Sequence, residues 1–115
     1  MFSDDVSGPR AGSTPEDDER WLVINGRRWR RTDPSLLPDV VEQLKSHLGR
    51  GRSGVRRAKQ AGDDRAVAAA RERVGLAKNG LGERGAYWWE ENEPDRLARA
   101  QDALSALEAL DVNEG

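Results

Sequence analysis

Polar residues dominate the first 18 positions. After Phe2 the chain runs through Asp, Ser, Gly, Pro, Thr and Glu with almost no large apolar side chain, too little to offset the entropy of ordering. Residues 1–18 are therefore expected to form a disordered acidic tail. Two β-prone runs follow on either side of Asn25-Gly26, the dipeptide that most readily takes the positive φ angles of a type I′ turn. The pattern predicts a β-hairpin over 20–32 that pairs Ile24 with Arg27, Val23 with Arg28, Leu22 with Trp29 and Trp21 with Arg30. Parity sorts Leu22, Ile24 and Trp29 to one face, and Trp21, Val23, Arg28 and Arg30 to the other. The first face is expected to be the core face, packed on helices, because an isolated hairpin is marginal in water.

Beyond Asp33-Pro34 the period changes. Leu37, Val41, Leu44, Leu48, Gly51, Val55 and Ala58 recur in alternating steps of four and three, predicting a helix over 35–61 with Thr32, Asp33 or Ser35 available to cap it. Gly49, Gly51 and Gly54 predict a kink, a break or unusually close packing within that helix. Asp63 and Asp64 open a second helix, 63–82, whose seam is Val67, Ala70, Val74, Ala77 and Leu81. A tight turn at Gly62 makes the pair an antiparallel hairpin. Tyr87-Trp88-Trp89 forms an aromatic cluster, and Pro94-Asp95 opens a third helix, 94–110, with Leu97, Ala100, Leu104, Leu107 and Leu110 on or near one face. The expected fold is α+β and mainly helical: an N-terminal β-hairpin packed on an antiparallel helical hairpin plus a C-terminal helix, one domain over 20–110.

Composition narrows the chemistry. The 115 residues include no cysteine, which excludes disulfides, thiolate metal sites and cysteine nucleophiles. His47 is the only histidine and has no metal-ligand spacing around it, so it is expected on the surface. Gly49-x-Gly51-x-x-Gly54 matches the dinucleotide fingerprint in letters, but that motif needs a strand before it, and here a helix precedes it. Ser46 beside His47 points to a different side of the helix than a working nucleophile and base require, and the adjacent carboxylates Asp63-Asp64 and Glu90-Glu91 suit helix ends. No catalysis, cofactor, metal or small-molecule substrate is expected. Mean hydropathy is −0.87, and the longest apolar runs, Trp21 to Ile24 and Ala66 to Ala70, fall far short of the roughly 20 residues of a membrane span. With no basic, apolar leader pattern at the start, the chain is expected to be cytoplasmic.

The net charge of −2 hides a partition: residues 1–19 carry −5, residues 20–85 carry +9 and residues 86–115 carry −6. A basic body between acidic ends is either a polyanion-binding surface or is neutralised internally by the acidic last helix. The candidate contacts are Arg27, Arg28, Arg30 and Arg31 of the hairpin, with Trp21 and Trp29 interleaved, and Arg50, Arg52, Arg56 and Arg57 of the first long helix, extended by Lys59. Such groups neutralise phosphates, and a two-stranded ribbon can lie along them. Arginine also stacks on tryptophan without a ligand; Trp21 opposite Arg30 is expected to contribute about 0.5–1 kcal/mol in this way. Trp88 is either an interface anchor or, with Trp29 and Trp89, a large side chain closing an Ala-rich core. The leading functional expectation is a non-catalytic binding or adaptor module acting through protein–protein contacts of its helical seam or aromatic cluster, self-association included. The alternative is a nucleic-acid-binding accessory protein that uses the Arg/Trp-rich hairpin and the basic helix.

Gly26-Arg27-Arg28-Trp29-Arg30, Thr32-Asp33-Pro34, Leu81-Gly82-Glu83-Arg84-Gly85 and Trp88-Trp89-Glu90 together resemble a family of short actinobacterial proteins of unknown function, sometimes labelled "biopolymer transporter Tol". The resemblance covers about residues 20–91 and implies a hairpin plus a helical hairpin, with no known chemistry. The sequence shows no β-propeller repeat, signal peptide or membrane anchor of the kind a Tol-like transport role would call for. It departs from the family pattern at Gly49–Gly54, where helix formers are usual, and in the helix after Pro94.

Overall fold

The computed structural model describes residues 15–114, which fall into two units, the first ending at Arg31 and the second beginning at Thr32. In the first unit α1 (Pro15–Arg20) runs directly into a hairpin of β1 (Trp21–Ile24) and β2 (Arg27–Arg30). α1 occupies the end of the stretch expected to be a tail; the rest of that expectation lies outside the described residues. Asn25 and Gly26 take φ of 54° and 77°, and all four predicted strand pairs are found. Arg31 closes the unit: its amide donates to the Arg20 carbonyl at 2.8 Å, and its Nε donates to the Asp18 carbonyl at 2.6 Å. The expectation of one apolar core face is not met. Ile24 is 51% exposed and Trp29 37%, while Leu22 on their face and Trp21 on the other are both half-buried, so apolar and cationic side chains are divided between the faces.

The second unit is helical: α2 (Pro38–Ala61), α3 (Asp64–Leu81), a 3-10 turn at Trp88–Glu90 and α4 (Glu93–Glu114). None of the described helices is long and apolar enough to cross a membrane. Asp63 caps α3 by accepting from the Ala66 amide at 3.0 Å, and Gly62 and Gly82 end α2 and α3 in left-handed conformations. α2 begins at Pro38, later than expected, and its N-cap Leu37 makes no side-chain bond. Asp33, one of the residues expected to cap it, is buried elsewhere: its Oδ1 accepts from the Ser35 amide at 2.9 Å and the Ser35 hydroxyl at 2.8 Å, while its amide donates to the Leu81 carbonyl at 2.9 Å. The late start also moves the seam. Leu37 is 61% exposed, and Val40 takes the buried place.

α4 runs antiparallel to α3, with Ala103 against Gly80 and Asp111 beside Arg73. The core is formed by Leu36, Val40, Leu44 and Leu48, by Ala77 and Leu81, and by Ala100, Ala103, Leu104 and Leu107. It therefore lies at one end of the α2–α3 hairpin; beyond Gly51 the buried apolar contribution of α2 is Ala58 alone. There the two helices approach closely through small residues, and α2 stays continuous across its three glycines. A Cβ built on Gly51 would stand 2.8 Å from Val74 Cγ2 and 3.1 Å from its backbone nitrogen, whereas one on Gly49 meets nothing within 4 Å. Of the three outcomes the glycines allowed, close packing is the one realised.

The two glycines should consequently respond with opposite signs. Gly49→Ala is expected to stabilise the fold by about 0.5–1 kcal/mol through helix propensity. Gly51→Ala, which forces atoms into backbone as well as side chain, is expected to destabilise it by about 1–3 kcal/mol. Urea unfolding of both variants reads this directly, and shifts of the same sign would contradict the packing described.

Candidate functional site

The arginines of the second unit divide by what they face. Those of α4 are used inside the fold. Arg96 donates from Nε to Asp33 Oδ2 at 3.0 Å and from Nη2 to Asp33 Oδ1 at 2.6 Å, a two-point grip on a fully buried carboxylate. Arg99 stands 3.7 Å from Asp33 Oδ2 and pairs with Glu91. Burial alone would raise the Asp33 carboxyl, but the Arg96 hydrogen bond, the Ser35 amide and hydroxyl and the Arg96 charge hold it below the usual carboxylate range. Trp88, a candidate partner contact, is 6% exposed and lies beneath the Arg96 guanidinium, 5.2 Å from its ring centroid. That position corrects the interface reading: Trp88 is a core residue. Leu104 and Leu107 are likewise buried in the chain's own core, so α4 fills the proximal part of the seam offered to a partner.

A second internal cluster joins α2, α3 and α4. Arg73, almost buried, donates from Nη2 to Asp111 at 2.8 Å, and Arg50 pairs with the same carboxylate oxygen at 2.5 Å. Arg73 Nη1 lies 2.8 Å from His47 Nδ1. A guanidinium only donates, so Nδ1 accepts and the imidazole is neutral with its proton on Nε2. His47 is 7% exposed, contrary to the surface position expected for it. Burial first, then the charges of Arg50 and Arg73 working against Asp111 and Glu108, hold its pKa below the ordinary histidine value. Sequence reasoning missed Arg73; its place in the apolar side of α3, one residue before Val74, was the available signal.

What remains is the outer surface of the α2–α3 hairpin. From Lys45 to Lys59, α2 carries six lysines and arginines and no acid. Asp111 is the α4 carboxylate seen to reach that run, and it takes Arg50. Arg52, Arg56 and Arg57 are exposed, as are Arg71 of α3 and Arg84 of the following loop, and no described carboxylate comes within ion-pair distance of them. The arginines proposed from sequence therefore separate. Arg52 and Arg56 meet Arg71 and Arg84 around a depression of about 480 Å³ floored by Val55 and Val74. Arg50 and Arg57 instead flank a groove of about 840 Å³, together with Lys45 and Arg73, along a stripe of small residues including Ser53, Gly54, Ala66 and Ala69. Arg71 and Arg84 were not foreseen, because nothing in a linear reading brings a loop after α3 beside α2.

In the first unit, Arg28 lies over the Trp21 ring at 4.0 Å and Arg27 over the Trp29 ring at 4.7 Å. Arg28 is the diagonal neighbour of Trp21 across the hairpin, two residues from the directly paired Arg30. Arg27, Arg28 and Arg31 are exposed and Arg30 is half-buried. Among the described residues, no group of three or more His, Asp or Glu side chains is placed to hold a metal ion. Compared with models of protein families, with curated proteins and with solved structures, the chain matches none.

The His47 environment has a measurable consequence. Its folded pKa is depressed, so as pH falls below about 6.5 the unfolded chain takes up a proton before the folded one does, and stability declines from there down towards the folded pKa. NMR titration of the single imidazole should give a midpoint clearly below about 6.5; a midpoint at or above that value would contradict the buried, Arg73-bound tautomer.

Proposed function

We propose that this chain is a non-catalytic nucleic-acid-binding module whose contact surface is the outer, basic face of the α2–α3 hairpin. One observation carries the reading: the acidic α4 does not neutralise the basic helix. Its own arginines answer Asp33 and Glu91, its Asp111 takes Arg50 and Arg73, and Arg52, Arg56, Arg57, Arg71 and Arg84 stay exposed with no carboxylate among the described residues in ion-pair distance. Cations gathered without counter-charge repel one another, and a polyanion relieves that repulsion while releasing its own counterions. Arg27 and Arg28 of the hairpin, each laid over a tryptophan, give the first unit a surface of the same chemistry.

The protein-adaptor reading draws on a different feature. The 840 Å³ groove, with small residues along it and Lys45, Arg50, Arg57 and Arg73 around it, suits an acidic helix resembling α4. It ranks second because the proximal seam and Trp88 are already occupied by the chain itself.

The test is fluorescence anisotropy of labelled mixed-sequence oligonucleotides, single-stranded and duplex, titrated with the full chain. With about four phosphates neutralised, affinity for at least one of them should fall on the order of 100-fold between about 50 and 200 mM salt. The double variant Arg52→Glu, Arg56→Glu should lose binding while its thermal unfolding is unchanged. Absence of binding, or affinity indifferent to salt, contradicts the proposal and turns attention to the groove.

A further inference from the structure

We infer that the depression formed by Arg52, Arg56, Arg71 and Arg84 seats one unpaired nucleotide of a single strand, so that the chain prefers single-stranded to duplex nucleic acid. The inference rests on the nucleic-acid reading above and adds the form of the ligand.

Three features point this way. The cations come from three separate elements, α2, α3 and the loop after α3, and converge on one hollow. Arg84 reaches back onto α3, its Nη1 lying 3.5 Å from where a Cβ on Gly75 would stand, and Arg56 is steadied by donating to Ser53 Oγ at 3.1 Å. The hollow also has an apolar floor. Val55 and Val74 are half-buried there, and Val74 is held against α2 by the close approach at Gly51 that sets Arg52 and Arg56 beside Arg71. A site for phosphate alone has no use for valines. A ligand carrying both phosphate charge and a flat, weakly polar body uses both parts, with guanidinium groups gripping phosphate oxygens or stacking on the ring. Size agrees with this: about 480 Å³ lies at the small end of the roughly 300–1,000 Å³ typical of ligand sites, room for a single nucleotide.

A duplex cannot exploit this hollow. Its base faces are stacked inside the helix, and it offers only a rigid row of phosphates, which any exposed cation would satisfy. A single strand can turn one base out, and base stacking of this kind tolerates any sequence. Lysine reproduces the charge of arginine but neither its planar stacking nor its paired donors.

The experiment compares a labelled 12-nucleotide single strand with the 12-base-pair duplex of the same sequence, using the wild-type chain and the charge-preserving variant Arg52→Lys, Arg71→Lys, Arg84→Lys, all at one salt concentration. The wild type should bind the single strand roughly ten-fold more tightly than the duplex, through stacking of one base on a guanidinium plane. In the lysine variant the preference should vanish through loss of single-strand affinity, with duplex binding unchanged. Equal or tighter duplex binding by the wild type, or a preference that survives in the variant, would overturn the inference and leave the broader nucleic-acid reading standing. If neither strand binds, both fall.

Discussion

The helical unit depends on one buried carboxylate. Asp33 has no contact with water, and an ionised group so placed is tolerated only when its lone pairs are met. Arg96 grips both oxygens, the Ser35 amide and hydroxyl fill the remaining positions on Oδ1, and the Asp33 amide holds the last carbonyl of α3. Thus the segment before α2, the end of α3 and the first turns of α4 meet at a single residue, through its side chain and its amide. Removing one partner of such a pair typically costs about 3–5 kcal/mol, a large share of the roughly 5–15 kcal/mol available to a small domain.

That constraint shapes the charge distribution as well as the fold. Because α4 spends its two arginines on Asp33 and Glu91 and enters through Ala100, Ala103, Leu104 and Leu107, its acidic side is not laid across the basic stretch of α2. Among the described residues, the α4 carboxylate that reaches that stretch is Asp111, which is shared by Arg50 of α2 and Arg73 of α3. The core stops at Leu48 on α2, and beyond it the helices are held by glycine and alanine at close range. Close helices with small seams carry their long side chains outward, so the thinly cored half of the hairpin is also the half that displays arginine.

The local architecture was legible in the sequence. Asn25-Gly26 determined the hairpin and its register, the three-four alternation located the helices, and the face of α4 was read correctly down to Ala100, Leu104 and Leu107. What could not be read were the polar contacts that form only in three dimensions. Asp33 looked like a cap because it precedes a helix, yet its partner lies 63 residues away. His47 looked like a surface residue because it is the only histidine and has no ligand spacing around it, but Arg73 supplies a donor from another helix. The place of Trp88 beneath Arg96 escaped for the same reason: periodicity assigns a side chain to a face and is silent on whether a cation from elsewhere covers it. The candidate site was therefore half visible, through Arg52 and Arg56, while Arg71 and Arg84 required the fold.

The basic face depends on arginines being sorted into committed and open ones, and chemical labelling measures that sorting directly. The full chain would be treated with an arginine-selective dicarbonyl such as phenylglyoxal at neutral pH, and the modification rate at each position followed by mass spectrometry. Arg52, Arg56, Arg71 and Arg84 should react rapidly, and Arg73, Arg96 and Arg99 at least about ten-fold more slowly, since reaction at a buried, hydrogen-bonded guanidinium requires local opening of the structure. Protection of Arg52, Arg56, Arg71 and Arg84 to the level of Arg96 would mean that the basic face is covered within the chain itself, and the central claim would be wrong.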